Sequence, residues 1–80
     1  DEVVIASGAN LRQTYAIADT VRDRLAEHGM RIDHMEGNRD SRWILLDAGD
    51  IIVHIFEQKE RGVYHLEKLY ADLPVSRYDV

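Results

Sequence analysis

The sequence predicts a mixed α/β domain built on a twisted four-stranded sheet, with the element order β-α-β-β-β-α. Three features predict it: a short β-branched run at the start, an amphipathic helical stretch after it, and two apolar runs separated by a turn. Because a helical crossover joins the first two strands, we expect them to run parallel if they share a sheet. The two later apolar runs add an antiparallel hairpin.

The first strand and the first helix have clear sequence signals. Residues 3–6 are apolar on both faces, as in a buried strand, and residues 7–8 end that strand. Asn10 is suited to cap a helix, and Gln13 three positions later can complete a capping box. We expect the helix to end before Gly29, a common residue beyond a helix C-terminus. Its apolar stripe recurs at 4-3-4 spacing, as Thr14, Ala18, Val21 and Leu25.

The later elements follow from alternation and turn residues. Residues 30–35 alternate between two faces and predict the second strand, and residues 36–41 predict a loop. Residues 43–47 and 51–57 predict the two strands of the hairpin. Residues 58–71 predict a second helix, because apolar side chains recur there at helical spacing, as Val63, Leu66, Leu69 and Tyr70.

The register of the hairpin decides which side chains share a face of the sheet. A three-residue loop would pair Asp47 with Ile51, Leu45 with Val53, and Trp43 with Ile55. The opposite face would then carry Ile44, Leu46, Ile52, His54 and Phe56. A two-residue loop would change these pairings. A histidine among such neighbours is expected to be a core residue with its hydrogen bonds satisfied.

Length and composition limit the classes of function. Eighty residues make one domain, which we assign to residues 1–74 with a C-terminal tail at 75–80. The net charge of −5 makes the chain a poor binder of nucleic-acid phosphates and suits a basic partner, although solubility alone would also explain it. The absence of cysteine excludes disulfides and thiolate nucleophiles. No apolar run approaches the roughly 18 residues that span a bilayer, so no membrane partner is expected.

Two longer motifs stand out in the sequence: residues 43–56 read WILLDAGDIIVHIF, and residues 61–70 read RGVYHLEKLY. In order and spacing they resemble the ribosomal silencing factor (Iojap-like) family. Smaller matches precede them, including Ala6-Ser7-Gly8 and Glu36-Gly37. The resemblance covers residues 1 to about 74. The sequence departs from the family pattern at Ala9-Asn10, Ala48, Gly62-Val63 and Tyr70, and it lacks the helical segment that usually precedes the first strand.

The resemblance implies a fold similar to that of nucleotidyltransferases, without catalysis and without a cofactor. It implies that the partner is the large ribosomal subunit, bound through its fourteenth ribosomal protein, and that binding blocks subunit joining and represses translation. A bacterial cytoplasmic location is implied, and an organellar homologue is not excluded. The alternative is a nucleotide-binding protein or nucleotidyltransferase-like enzyme that uses the turn at residues 7–10.

The residues themselves give little support to that alternative. A metal-dependent transferase needs paired carboxylates behind a Gly-Ser loop, and this sequence offers Asp19 and Asp23 on the solvent side of the first helix instead. The turn at residues 7–10 could cradle an anion at the helix N-terminus, but an ordinary strand-to-helix turn is the simpler interpretation. The four histidines lack ligand spacing, so no metal site is expected.

We predict a partner-binding surface on the hairpin and the second helix. Two helices leave part of one hairpin face uncovered, and an apolar patch rimmed by charge marks a binding surface. The predicted partner-binding residues are Trp43, Leu45, Asp47, Val53, Arg61, Tyr64, Glu67 and Tyr70. The acidic rim comprises Asp47, Asp50, Glu57, Glu60 and Glu67. Alternatively, the missing N-terminal segment or a second copy of the chain, in a homodimer, would cover this patch.

Overall fold

The computed structural model describes residues 2–60, 68–69 and 75–79. In chain order the described elements are β1 (Glu2–Gly8), α1 (Leu11–Glu27), β2 (His34–Glu36), β3 (Trp43–Asp47), β4 (Ile51–Glu57) and β5 (Val75–Asp79). The strands form one mixed sheet in the order β2-β3-β4-β1-β5. The predicted α/β class and the four predicted strands are therefore confirmed, and a fifth strand joins them.

The strand directions follow the prediction. β1 is parallel to β4 and to β5, whereas β3 is antiparallel to both β2 and β4. β1 and β2 consequently run in the same direction, as a helical crossover between them requires. They are not neighbours, because β3 and β4 lie between them in the sheet.

The prediction of a C-terminal tail at residues 75–80 is wrong for residues 75–79. Residues 75–79 form β5, which pairs with β1 in parallel register. The pairs run from Val3 opposite Val75 to Ser7 opposite Asp79. The physical reason lies in β1, whose side chains are buried on both faces. Such a strand cannot leave the backbone groups of one edge unpaired without a free-energy penalty, and β5 supplies the partner for that edge.

The turn from β1 into α1 is held by side-chain caps: the predicted Asn10 cap is confirmed, but Gln13 bonds the N–H of Ala9 and not, as a capping box would require, that of Asn10. Asn10 Oδ1 accepts from the backbone N–H of Gln13 at 2.8 Å, and Gln13 Oε1 accepts from the N–H of Ala9 at 2.6 Å. The hydroxyl of Thr14 donates to the Asn10 carbonyl at 2.7 Å. A Cβ on Gly8 would lie 2.8 Å from the Thr14 backbone nitrogen, so only glycine allows this close approach of strand and helix.

The end of α1 also matches the prediction, but β2 begins later than predicted. Gly29 has φ +76° and its N–H donates to Ala26, while the N–H of Met30 donates to Leu25 at 2.8 Å. This double closure is a Schellman motif. A strand was predicted at residues 30–35, but β2 comprises only His34–Glu36. Residues 30–33, which follow the Schellman motif, are not in a strand.

Helix α1 covers one face of the sheet. Thr14 and Ala18 are buried on its inner side, and Val21 packs against the core. The core between the helix and the sheet comprises Ala6, Ala18, Ile44, Leu46, Val53 and Ile55. On the opposite face of the sheet, a second cluster comprises Val3, Ile5 and Phe56. Leu25, which completes the predicted helical stripe, is only half-buried.

The hairpin has the two-residue loop, so the register predicted from the longer loop is wrong. Ala48 N–H donates to the Ile51 carbonyl at 2.9 Å, which leaves Gly49 and Asp50 as the loop. Gly49 has φ +85°, and its N–H donates to Asp47 Oδ1 at 2.9 Å. A positive φ at the first loop residue matches the twist of a tight hairpin. The observed pairs are Trp43 with Phe56, Ile44 with Ile55, Leu45 with His54, Leu46 with Val53, and Asp47 with Ile52.

The predicted second helix falls mostly outside the described residues. Lys68 and Leu69 are helical, but Gln58 and Lys59 form a turn directly after β4. A helix starting at residue 58 is therefore wrong, since Gln58 N–H donates to the Gly8 carbonyl and Glu60 N–H to the Glu57 carbonyl. These bonds hold the chain in a turn at the ends of β1 and β4.

Candidate partner-binding surface

The observed register places three rows of side chains on the sheet face opposite α1, which we call the Trp43 face. Its β2 positions are His34 and Glu36, and its β3 positions are Trp43, Leu45 and Asp47. Its β4 positions are Ile52, His54 and Phe56, and its β1 positions include Val3 and Ile5. The rows run across the sheet, so Glu36, Leu45, His54 and Ile5 are consecutive neighbours on four strands.

An aromatic cluster lies on this face toward the end of the hairpin that is farthest from its loop. The Trp43 ring lies 4.9 Å from the Phe56 ring and 5.8 Å from the His54 ring, measured between centroids. Phe56 is 1% exposed and His54 5%, but Trp43 is 42% exposed. Trp43 therefore packs one side of its ring on buried neighbours and presents the rest to solvent, as an aromatic interface anchor does.

A hydrogen bond fixes the orientation of the Trp43 ring. The indole Nε1–H donates to His54 Nδ1 at 3.0 Å, so Nδ1 of the histidine carries no proton. Burial lowers the pKa of His54 below its ordinary value of 6.5, because a charged imidazole would lose its hydration there. The expectation that His54 is a core residue is confirmed by its burial, and Trp43 supplies one of its hydrogen bonds.

A hollow opens beside this cluster. Its volume is about 180 Å³, and its walls are Glu36, Trp43, Leu45 and His54. Glu36 is exposed at the edge strand β2, and its Oε1 lies 3.8 Å from His34 Nε2. The hollow thus combines apolar walls with a carboxylate at its solvent side, the combination that binds a side chain with an apolar stem and a cationic head.

Four of the eight predicted partner-binding residues lie among the described residues, and their binding to a partner stays a prediction. Trp43, Leu45 and Asp47 lie together on the Trp43 face, as predicted. Val53 does not, because the two-residue loop turns it toward α1, where it is 2% exposed in the core. The other four lie outside the described residues: Arg61, Tyr64, Glu67 and Tyr70.

The predicted acidic rim is only partly present. Asp50 is exposed at the hairpin tip, and Glu60 is partly exposed. Glu57 is 6% exposed, so it is not a rim residue, because it lies on the α1 side of the sheet opposite Gly8. Glu67 lies outside the described residues. Glu36 was not predicted, because only the pairing of β2 with β3 places it opposite Leu45.

The turn at residues 7–10 is partly closed by its own caps. The N–H groups of Ala9, Gln13 and Thr14 all donate within the chain, to the Gln13 side chain, the Asn10 side chain and the Asn10 carbonyl. Among the described residues no group of three or more histidine, aspartate or glutamate side chains could hold a metal ion. Within that same part of the chain, no helix has the length and apolar character needed to cross a membrane.

Comparison with known sequences gives one family. The family model described as "Ribosomal silencing factor during starvation" matches residues 1–80. Ribosomal silencing factor RsfS of Bacillus subtilis (strain 168) is 40% identical over 79 residues, which cover 99% of this chain and 67% of that protein. RsfS of Halalkalibacterium halodurans is 40% identical over 74 residues, covering 92% and 63%. The chloroplastic protein Iojap of Zea mays is 32% identical over 69 residues, covering 86% and 30%.

Solved structures have the same fold. A crystal structure from Bacillus halodurans superposes with a TM-score of 0.74 at 41% identity, covering 82% of this chain and 63% of that chain. An X-ray structure of protein CV0518 from Chromobacterium violaceum gives a TM-score of 0.74 at 38% identity, covering 84% and 56%. This chain spans about two thirds of the length of the two RsfS relatives.

Proposed function

This chain belongs to the ribosomal silencing factor family, and on that premise we propose that it represses translation by binding the large ribosomal subunit. The proposed partner is the fourteenth protein of that subunit, and the proposed mechanism is steric. Bound there, the domain fills space that the small subunit needs for joining. No cofactor, turnover or direct nucleic-acid contact is required.

The observation that carries the proposal is the half-exposed Trp43 on the Trp43 face. A large aromatic ring that is held by a hydrogen bond and by ring packing loses little conformational entropy on binding. The net charge of −5 favours a basic partner, because complementary potentials accelerate association. A ribosomal protein surface that neutralises RNA phosphates has this basic character.

The enzymatic alternative has less support. Two of the N–H groups around the turn at residues 7–10, those of Ala9 and Gln13, already bond to the chain's own caps. A transferase also needs paired carboxylates that bridge metal ions, and the described residues bring no metal-holding group together. We therefore infer a binding protein rather than a nucleotidyltransferase.

The location and assembly of the protein follow as parts of the same proposal. The RsfS relatives are bacterial, and Iojap relatives are chloroplastic or mitochondrial. We infer a site of action where ribosomes are, in a bacterial cytoplasm. The interaction is proposed for one copy of the chain per large subunit, and a homodimer would compete with it if the two used the same face.

The test is sedimentation of the purified protein with separated ribosomal subunits. We expect it to sediment with the large subunit, not with the small subunit, and to lower the fraction of joined ribosomes when both subunits are mixed. Binding of the isolated fourteenth protein, measured by calorimetry, identifies the contact. Equal binding to both subunits, or joining that is unaffected at saturating protein, would contradict the proposal.

A further inference from the structure

The hollow on the Trp43 face has walls of two chemical kinds. Leu45 and the ring of Trp43 supply apolar surface, and the buried imidazole of His54 forms the third wall. Glu36 stands at the open side on the edge strand, directly opposite Leu45 in the β2–β3 register. A ligand group that fills the hollow must therefore be apolar along its length and must satisfy a carboxylate at its end.

The charge on this part of the sheet has one sign. The positions of β2, β3 and β4 on the Trp43 face include the carboxylates Glu36 and Asp47 and no lysine or arginine. Asp47 is engaged by the hairpin turn, since its Oδ1 accepts from Gly49. Among the described residues, Glu36 has a close contact with His34, whose Nε2 lies 3.8 Å from Oε1, which is longer than a hydrogen bond. The carboxylate of Glu36 can therefore accept stronger bonds from a cation that arrives with a partner.

We propose that this hollow receives one arginine side chain of the basic partner, with the guanidinium between the Trp43 ring and the Glu36 carboxylate. This rests on the proposed function and names the group that the site recognises. A guanidinium is planar, stacks on an indole face, and presents paired N–H donors that match a carboxylate. Its methylene stem covers Leu45. Lysine fits less well, because its compact, strongly hydrated ammonium neither stacks on the ring nor binds in a bidentate way.

The first test uses Trp43 as its own reporter, because the chain has one tryptophan. The purified protein is titrated with N-acetyl-arginine amide, and in parallel with N-acetyl-citrulline amide, which has nearly the same shape without the charge. Tryptophan fluorescence and the indole N–H resonance are followed. We expect saturable changes with the arginine compound and at least tenfold weaker changes with citrulline. Equal responses to the two compounds would overturn the proposal.

The second test uses the large subunit and a matched pair of variants. Glu36→Gln and Glu27→Gln make the same substitution and remove the same charge, but Glu27 is exposed at the end of α1 and not in the hollow. We expect Glu36→Gln to weaken large-subunit binding about tenfold and Glu27→Gln to change it less than threefold. Equal effects of the two variants, with wild-type binding intact, would overturn the arginine proposal and leave the proposed function standing. Failure of the wild-type protein to bind large subunits would instead overturn the proposed function.

Discussion

The indole N–H of Trp43 donates to Nδ1 of His54 at 3.0 Å, which links a half-exposed residue of β3 to a buried residue of β4. The two are diagonal neighbours, because Trp43 pairs with Phe56 and Leu45 pairs with His54. Diagonal positions on one sheet face lie within reach of long aromatic side chains. The protonation state of the buried His54 and the orientation of the exposed Trp43 ring are therefore coupled.

Trp43→Phe tests this coupling. The substitution keeps an aromatic ring but removes the N–H donor, so the neutral form of His54 loses the hydrogen bond that favours it. We expect the pKa of His54 to rise toward its ordinary value, and the protein to lose about 1–2 kcal/mol of stability. Titration of the His54 ring by NMR and urea unfolding measure the two effects. A pKa that is unchanged or lower in the variant would contradict the coupling.

Burial of His54 also predicts how stability depends on pH. Its pKa is lowered in the folded state, so below about pH 6.5 the unfolded chain binds a proton that the folded chain does not. The free energy of unfolding is therefore highest above about pH 6.5. It falls as the pH falls toward the lowered pKa that His54 has in the folded protein. We expect urea unfolding to show this loss in the wild-type protein between pH 7.5 and 5.5.

The matched variant for the pH experiment is His54→Asn, which cannot titrate in this range. It should be less stable than the wild-type protein at pH 7.5, but it should lose less stability on acidification because it lacks the buried imidazole. The exposed residues His28 and His34 are present in both proteins, so they do not account for a difference between them. An identical pH dependence of the two proteins would show that His54 does not contribute.

Two leucine substitutions test the core. Leu46 is 0% exposed beneath α1, whereas Leu25 is half-buried near the end of that helix. Because both variants remove the same atoms, only the packing differs. We expect Leu46→Ala to lower the free energy of unfolding by about 2–5 kcal/mol and Leu25→Ala by less than half of that loss. Equal losses in chemical denaturation would mean that Leu25 belongs to the core, as the helical stripe alone suggests.

Local signals in the sequence were sufficient for much of the fold. The Asn10 cap of α1, its glycine stop and the strand alternation depend on neighbours a few positions apart, and each of these was predicted. β5 was missed because its pairing with β1 is a contact between residues about 70 positions apart. A short segment after Pro74 carries no local sign of such a partner.

The candidate surface was harder to predict, because the length of the hairpin loop decides which side chains of β4 lie on it. A slip of one position in the hairpin transfers Val53 from the Trp43 face to the core and brings His54 beside Leu45. Trp43 and Leu45 keep their common face in either register, since they belong to the same strand. Glu36 could be identified only when the pairing of β2 with β3 was known.

The most direct test of the central claim, that the Trp43 face binds the large ribosomal subunit, compares two exposed aromatic residues. Trp43 is 42% exposed on this face, and Tyr78 is 62% exposed on β5, at a register position beside Ala6 on the other face. Alanine variants of both are measured for affinity to purified large subunits, with thermal unfolding as the folding control and Trp43→Phe as a milder variant.

We expect Trp43→Ala to weaken large-subunit binding about 30-fold, because a central aromatic anchor contributes about 2 kcal/mol or more. Tyr78→Ala should change the affinity less than threefold. Folded Trp43→Ala that binds large subunits as tightly as the wild-type protein would contradict a role for the Trp43 face. The same would follow if Tyr78→Ala weakened binding by as much as Trp43→Ala.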